Sequence, residues 1–325
     1  MHIFRTIVSN SQSSSKISLN NPFLTLGSCF ADGIGRRLRE NKFSVLPNPF
    51  GTIYNPHAIH KLLHYAIAGK TPPDNTYLNH NEVFLNYDFH SEFSALYQAE
   101  LVEKIETSVN TTHAFLKNAT HLILTYGTAW IYERRDTSEI VANCHKKPSA
   151  EFTKSLLTQK KVIESFQDVY SALKTFNPSL KIILTVSPVR HIKDTLELNS
   201  VSKSVLRLAC HTISSTYTDV EYFPAYEIML DDLRDYRFYK EDMIHPTEEA
   251  VDYIWSAFMD RYADQDLKTF LKQWKEIQTA MAHKPFHPST KAHQKFLSDL
   301  LKKLELLSTK VDVKSEISLI QNQKS

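Results

Sequence analysis

Glycine is scarce in this chain, with only six in 325 residues. That scarcity leaves no room for the phosphate-cradling loops of nucleotide enzymes, and neither a P-loop nor a G-x-G-x-x-G string occurs. An excess of one charge is also missing. The 38 Lys and Arg face 36 Asp and Glu, a formal net charge of +2, so no global field selects nucleic acid or an anionic membrane. No apolar run approaches the ~20 residues that cross a bilayer, and the opening Met1-His2-Ile3-Phe4-Arg5-Thr6 lacks the apolar core of a secretory signal. The three cysteines, Cys29, Cys144 and Cys210, are odd in number, widely spaced and without a C-x-x-C. They read as free thiols in a reducing compartment, not as a disulfide framework. A cytoplasmic protein with a mixed-charge, solvated surface is the expectation.

What is present is an alternation. Short apolar runs at 23–26, 43–46, 121–126, 181–186 and 220–223 read as strands. Amphipathic stretches between them read as helices at 30–41, 57–68, one ending near 116, then 153–175, 200–217 and 247–262. Strand–helix alternation predicts an α/β fold, a three-layer doubly wound parallel sheet of about five strands, with ligands at the carboxyl ends of the strands. One domain over 1–265 is expected, carrying an insertion at 69–120 whose Pro-, Asn- and aromatic-rich first part (69–97) suggests a hairpin or irregular loops. Residues 266–325 form a C-terminal helical extension. It holds two Lys-rich amphipathic patterns joined near Pro285-Phe286-His287-Pro288, packed through their apolar stripes, and a polar end expected to fray.

Two short segments could carry chemistry. Leu26-Gly27-Ser28-Cys29-Phe30-Ala31 lies where a buried strand meets a helix. Free N–H groups and the partial positive charge at a helix start stabilise an anion and lower a thiol's pKa. The plainer alternative makes Ser28 an N-cap and Cys29 a small core residue. The second segment is Asp242-Met243-Ile244-His245-Pro246, just ahead of the last helix of the 1–265 domain. A carboxylate three residues before a histidine can hold one ring nitrogen, fix the tautomer and stabilise the imidazolium; a solvated loop with a capping Asp is the alternative.

Gly27-Ser28-Cys29-Phe30-Ala31 matches the motif for which the GSCFA family is named, and Asp242-x-x-His245-Pro246 resembles the terminal block of SGNH (GDSL-type) esterases. Asn48-Pro49-Phe50-Gly51-Thr52 is similar to their second block, and Tyr126-Gly127-Thr128-Ala129-Trp130 falls where their third would. Asn143-Cys144-His145-Lys146, Ser187-Pro188-Val189-Arg190-His191 and Tyr236-Arg237-Phe238-Tyr239 also look like GSCFA sequence, so the resemblance covers roughly 20–300. It implies an SGNH, flavodoxin-like fold and an ester hydrolase working through a covalent acyl-enzyme. An O-acetyl group on a carbohydrate or another small metabolite is the implied type of substrate. A weakly active or inactive binding or scaffold protein and an acyltransferase are the alternatives.

The resemblance also departs in two places. Superfamily nucleophiles stand two residues after the glycine, which puts Cys29 at that position and Ser28 where an Asp belongs; both stay open. The third block, Gly-x-Asn, ends on Ala129, so its oxyanion donor is absent, and Thr128, Asn55 and the backbone N–H groups of the nucleophile and Gly51 are the substitutes by type, around Gly127. Asn143, His145, Arg190 and His191, and also Asp88-Phe89-His90-Ser91, could line a substrate pocket. Arg190 and His191 have the better claim because they follow a strand's carboxyl end. His57, His60 and His64 share a helix face, but no carboxylate or cysteine joins them at ligand spacing. No metal, organic cofactor, nucleic acid or membrane partner is expected, and the oligomeric state is left open.

Overall fold

A computed structural model describes residues 6–8 and 12–324; most of the Met1–Thr6 opening therefore lies outside the described residues. Among the described residues there are ten strands: β1 (Phe23–Gly27), β2 (Val45–Pro47), β3 (Tyr77–His80), β4 (Val83–Asn86), β5 (His121–Tyr126), β6 (Trp130–Arg134), β7 (Ile140–Val141), β8 (Phe152–Leu156), β9 (Lys181–Val186) and β10 (Val220–Tyr222). The helices are α1 (Cys29–Glu40), α2 (Pro56–Ala68), α3 (Gln98–Asn118), α4 (Gln159–Phe176), α5 (Leu196–Thr216), the single turn α6 (Ala225–Glu227), α7 (Glu248–Tyr262), α8 (Gln265–Ala282), α9 (Lys291–Leu307) and α10 (Lys314–Gln323).

β10, β9, β5, β1 and β2 form, in that order, one parallel sheet. This is the α/β sheet that the apolar runs predict, with each of the five expected strands in it. Period-two alternation sorts its side chains between two cores. Leu24, Leu26, Leu122, Leu124, Ile182 and Leu184 pack among residues of α2, α3, α4 and α5. Phe23, Ile123 and Ile183 point the other way, toward α1, α7 and the C-terminal helices. Burial on both faces is why these strands read as continuous apolar runs.

Helix starts are set by side-chain caps. Ser28, Asn55, Thr158, Thr195 and Thr247 each accept a backbone N–H at the head of α1, α2, α4, α5 and α7, worth ~1 kcal/mol apiece. The extension shares the second core: Phe270, Trp274, Leu297 and Leu304 pack with Phe30 and Leu38, and Trp274 Nε1 donates to the Glu40 carbonyl at the end of α1, 2.7 Å away.

Two local expectations change. The helix read from 153 begins only at Gln159, because residues 152–156 pair as β8 against β6. With β7 they build a small antiparallel sheet that the sequence reading missed. Within the stretch read as an insertion, the β3–β4 hairpin is present, and α3, the helix expected to end near 116, buries Leu101, Ile105, Val109 and Leu116 in the first core. The polar last dozen residues, read as fraying, contain α10, anchored by buried Ile320. Among the described residues no helix is long and apolar enough to cross a membrane.

Candidate active site

Strand order in the parallel sheet reverses beside β1, whose neighbours are β2 on one side and β5 on the other. In such sheets the crevice at the carboxyl ends, where the order reverses, collects ligands. Gly27 leaves β1 with φ of +140°, and a Cβ there would lie 2.1 Å from the Thr125 carbonyl oxygen. Only glycine lets the chain turn this tightly against β5. Its N–H donates to Asn48 Oδ1 at 2.9 Å, and Asn48 Nδ2 donates to Asp32 at 2.7 Å, so the turn is tied to α1 through one amide.

The turn separates the two candidate nucleophiles. Ser28 is fully buried; its Oγ bonds the Ser187 hydroxyl at 2.8 Å and accepts the Phe30 N–H as helix cap. Cys29, at the first helical position, lines two cavities that also share Val189 and His245. One, of about 480 Å³, runs along α1 past Asp32 and Arg36. The other, about 630 Å³, opens toward Thr128, Trp130, Asn143 and the 190–194 loop. Cys29 and His245 thus stand between two spaces, one on each side of a bond that could be broken there.

His245 is held from below. Its Nδ1–H donates to Asp242 Oδ2 at 2.7 Å, while Asp242 Oδ1 accepts the N–H groups of Ile244 (2.9 Å) and His245 (3.0 Å). The His245 N–H, the His245 ring and the Ile244 N–H hold the Asp242 carboxyl well below the usual carboxylate range. The ring's Nε2 is left as the nitrogen able to take a proton. Cys29 behaves differently from the sequence expectation. Burial, and then the charge of Asp32, push its thiol up, outweighing the N–H groups of Cys29 and Phe30 and the cation of Lys203. At rest it is a thiol that needs a base, because desolvation beats the helix N-terminus here.

Among the proposed oxyanion donors, the backbone N–H groups of Gly51, Gly127 and Thr128 are occupied. Gly51 N–H donates to the Asn48 carbonyl at 2.8 Å, and the glycine is packed against His90 and Glu92, where a Cβ would not fit. Asn55 Oδ1 accepts the Ala58 N–H at 2.8 Å as cap of α2, which leaves its amide N–H groups as donors, but the residue is buried and lines neither cavity. Gly127 and Thr128 N–H both donate to the Tyr54 carbonyl, at 2.8 and 3.1 Å, and Thr128 Oγ1 bonds Ser202 at 3.0 Å. The N–H of Cys29 itself has no backbone acceptor among the described residues; nor does that of Thr52, which lines the larger cavity.

Asn143, Arg190 and His191 line the larger cavity. His145 does not: it is buried behind the wall, with Nε2 bonded to the Asn86 carbonyl at 2.7 Å. His191 Nε2 is buried without a partner, and burial, then Lys203, push the ring down to about 3, so it is neutral. Asp88 is buried in a pair with Lys61 at 2.8 Å and Phe89 packs on Phe50; neither lines a cavity at Cys29. Of the three helix histidines, His60 is core, bonded to Tyr126 and Ser165; no group able to hold a metal ion is found among the described residues.

Lys203 was missed. It lies 1 % exposed on α5, and its Nζ donates to the carbonyls of Gly127 and Ser187, 2.7 Å each. Its signal was present: it shares the apolar face of α5 with Asn199, Leu206 and Cys210, four residues at helical spacing, all buried. Burial pushes the ammonium down to about 7. Asp32 also had a readable signal, one turn after Cys29 on α1.

No curated protein sequence matches the chain. Eight solved chains match in three dimensions. One is a Streptococcus pneumonia protein assigned as a platelet activating factor, 12 % identical, covering 75 % of this chain and 85 % of its own, with a TM-score of 0.39. Another is an acetyl xylan esterase from the rumen bacterium Butyrivibrio proteoclasticus, 11 % identical, covering 79 % of this chain and 66 % of its own, with a TM-score of 0.34. The sequence profile of the GSCFA family matches residues 22–258, and that of the GSCFA C-terminal domain matches 274–324. With most of its length so matched, this chain belongs to the GSCFA family.

Proposed function

We propose that the protein is an ester hydrolase acting through a thioester acyl-enzyme on Cys29, with His245 as general base and acid and Asp242 as the group that orients it. One observation supports this above the others: His245, held by Asp242, lines both of the cavities that Cys29 lines, while Ser28 is spent inside the core. No hydrogen bond joins Cys29 to His245 here, as is common before substrate closes such a site.

In the first half-reaction His245 Nε2 takes the thiol proton as Sγ attacks the ester carbonyl carbon. The carbonyl oxygen becomes an oxyanion beside the Cys29 N–H, with Thr52 N–H as a second donor. The intermediate collapses, the C–O bond to the alcohol breaks, and His245 returns its proton to the leaving oxygen. In the second half, His245 deprotonates water, which attacks the thioester; the acid leaves and the thiol is restored. The raised thiol makes this base necessary, and the two cavities give the acyl and alcohol parts separate places.

The test is to mix the protein with 4-nitrophenyl acetate, quench in acid and map the acetyl group by peptide mass spectrometry. An adduct on Cys29 that disappears in His245→Ala supports the reading. Absence of both adduct and nitrophenol release, with a folded protein, sinks it for this ester and favours a protein that binds without turnover.

A further inference from the structure

The two cavities at Cys29 differ in how their charge is matched. In the smaller one, Arg36 and Arg37 are tied to Glu248, Arg37 also to Asp252, and Lys240 reaches Glu248 at 3.7 Å; of its four cations only Arg39 has no acidic partner among the described residues. The larger one is lined by five cations, Lys146, Lys147, Lys154, Arg190 and Lys193, and by one carboxylate, Asp194. Lys154 is paired with Asp194, and Lys147 with Glu151 at 3.2 Å. Lys146 and Lys193 have no acidic partner among the described residues. Arg190 has none either: it donates to the Met243 carbonyl at 3.0 Å and lies over the rings of Tyr236 and Tyr239. In a chain of net charge +2, this is a local concentration, and a cleft focuses such a field.

The presentation of Lys146 is also built. His145 and Lys146 both adopt positive φ, 50° and 60°, a costly pair for residues that are not glycine. The buried His145 ring bonded to Asn86, and the His145 N–H on Asn143 Oδ1 at 2.8 Å, hold them there. Across the cavity, Arg190 and Lys193 come from the loop after β9. Cations delivered from two separate loops, one under backbone strain and one stacked on two tyrosines, converge on one space beside Cys29.

We propose that this cavity binds an oxyanion group, a carboxylate or a phosphate, carried by the substrate whose ester carbonyl reaches Cys29. The assignment rests on the hydrolase reading for its placement beside the reacting ester, but the anion site itself stands on the wall's charge. Lys146, Lys193 and Arg190 are its contacts, and the smaller cavity takes the uncharged part.

The field can be measured without catalysis. Cys144 lines this same wall, so it and Cys29 are alkylated in the full-length protein with anionic iodoacetate and with neutral iodoacetamide, and each site is quantified by mass spectrometry. The expected ratio of iodoacetate to iodoacetamide rates is several-fold above that of the urea-unfolded chain. It should fall toward the unfolded value in Lys146→Gln/Lys193→Gln and in 1 M NaCl, where screening reaches ~3 Å. Protection by inorganic phosphate beyond that by malonate at equal ionic strength points to a phosphate, and the reverse order to a carboxylate. A ratio equal to that of the unfolded chain and unmoved by the double variant overturns the proposal. In parallel, kcat/KM is compared for 4-nitrophenyl acetate and the 4-nitrophenyl monoester of succinic acid. Preference for the charged ester that the double variant abolishes supports the proposal; equal turnover of both esters in both proteins overturns it. A raised alkylation ratio with neither ester turned over supports the anion site and removes the hydrolase reading alone.

Discussion

Ser28 and Ser187 share a hydrogen bond of 2.8 Å between their hydroxyls, inside the core and out of reach of either cavity. That contact separates two adjacent residues of one motif into a structural serine and a cavity-facing cysteine. Ser28→Ala should therefore keep acylation at Cys29 within a few-fold, while losing roughly 1–2 kcal/mol of stability from the cap and the buried bond. Cys29→Ala should lose the adduct and keep the melting point. Mass mapping and a denaturant titration on both variants check this; a Ser28→Ala protein of full stability and no acylation would reverse the assignment.

Asp32 stands one turn along α1 from Cys29 and opposes its ionisation, second only to burial. Asp32→Asn keeps the side-chain shape beside Asn48 and Thr52 and removes the charge. The thiolate should then form at lower pH. The pH profile of iodoacetamide labelling at Cys29 should shift to the acid side, with faster labelling at pH 8. A profile that stays in place or moves to higher pH contradicts the role given to Asp32.

Asp242 sets the ring of His245 through Nδ1. Asp242→Asn retains an acceptor but no charge, and its amide invites the wrong tautomer. A loss on the order of 10²–10⁴-fold in kcat, with KM little changed, is expected from the behaviour of such pairs. The measurement is steady-state turnover of 4-nitrophenyl acetate, and a loss under threefold would mean that the pair is decorative.

Lys203 is a buried base whose proton affinity is lowered, so its linkage runs opposite to a salt-bridged lysine. The unfolded lysine titrates near 10.4 and the folded one at about 7. Between those pH values the unfolded chain holds the extra proton, so stability rises with pH across the window. The penalty is complete below about 7 and absent above the unfolded value. Each tenfold loss of proton affinity is worth about 1.4 kcal/mol. Lys203→Met escapes that penalty but leaves the Gly127 and Ser187 carbonyls without a donor. Its stability relative to the parent should therefore improve steadily from pH 10 down to pH 7. Urea titrations at several pH values test this; a difference independent of pH would show that the lysine is not buried as described.

Asn55 gives the sharpest check on the oxyanion assignment. Its side-chain oxygen caps α2 through the Ala58 N–H, and the buried residue lines neither of the cavities at Cys29, so its amide N–H groups have no access to a bound ester. Asn55→Ala should destabilise α2 by ~1 kcal/mol and leave kcat for 4-nitrophenyl acetate within twofold. A drop of 10² or more at unchanged fold would place its amide in catalysis after all.

The parallel sheet was legible because its strands are buried on both faces, so every residue of a run such as Phe23-Leu24-Thr25-Leu26 is inside. The small β6–β7–β8 sheet was not. β8 has only one fully buried residue, Phe152, and exposed Thr153 and Lys154, so its alternation merges with the helix that follows. The same limit applied to the polar end. α10 carries one buried contact, Ile320, too little for a periodic signal.

Local sequence by itself determined where the chemistry could be: a strand-to-helix turn with glycine at its hinge, and a carboxylate three residues ahead of a histidine. These are short-range relations, set by backbone sterics and side-chain reach, and they survive without a fold. Which of Ser28 and Cys29 faces the crevice was decided only by tertiary structure, because it depends on a hydroxyl 159 positions away in the chain. So was the placement of Gly51 and Asn55: the Gly51 N–H is spent in a turn, and Asn55, whose oxygen caps α2, is buried outside both cavities. Lys203 and the basic cavity wall are the extreme cases. Their lysines are ordinary in sequence, and they acquire meaning only when folding strips one of water and gathers the others around a single space with too few carboxylates to neutralise them.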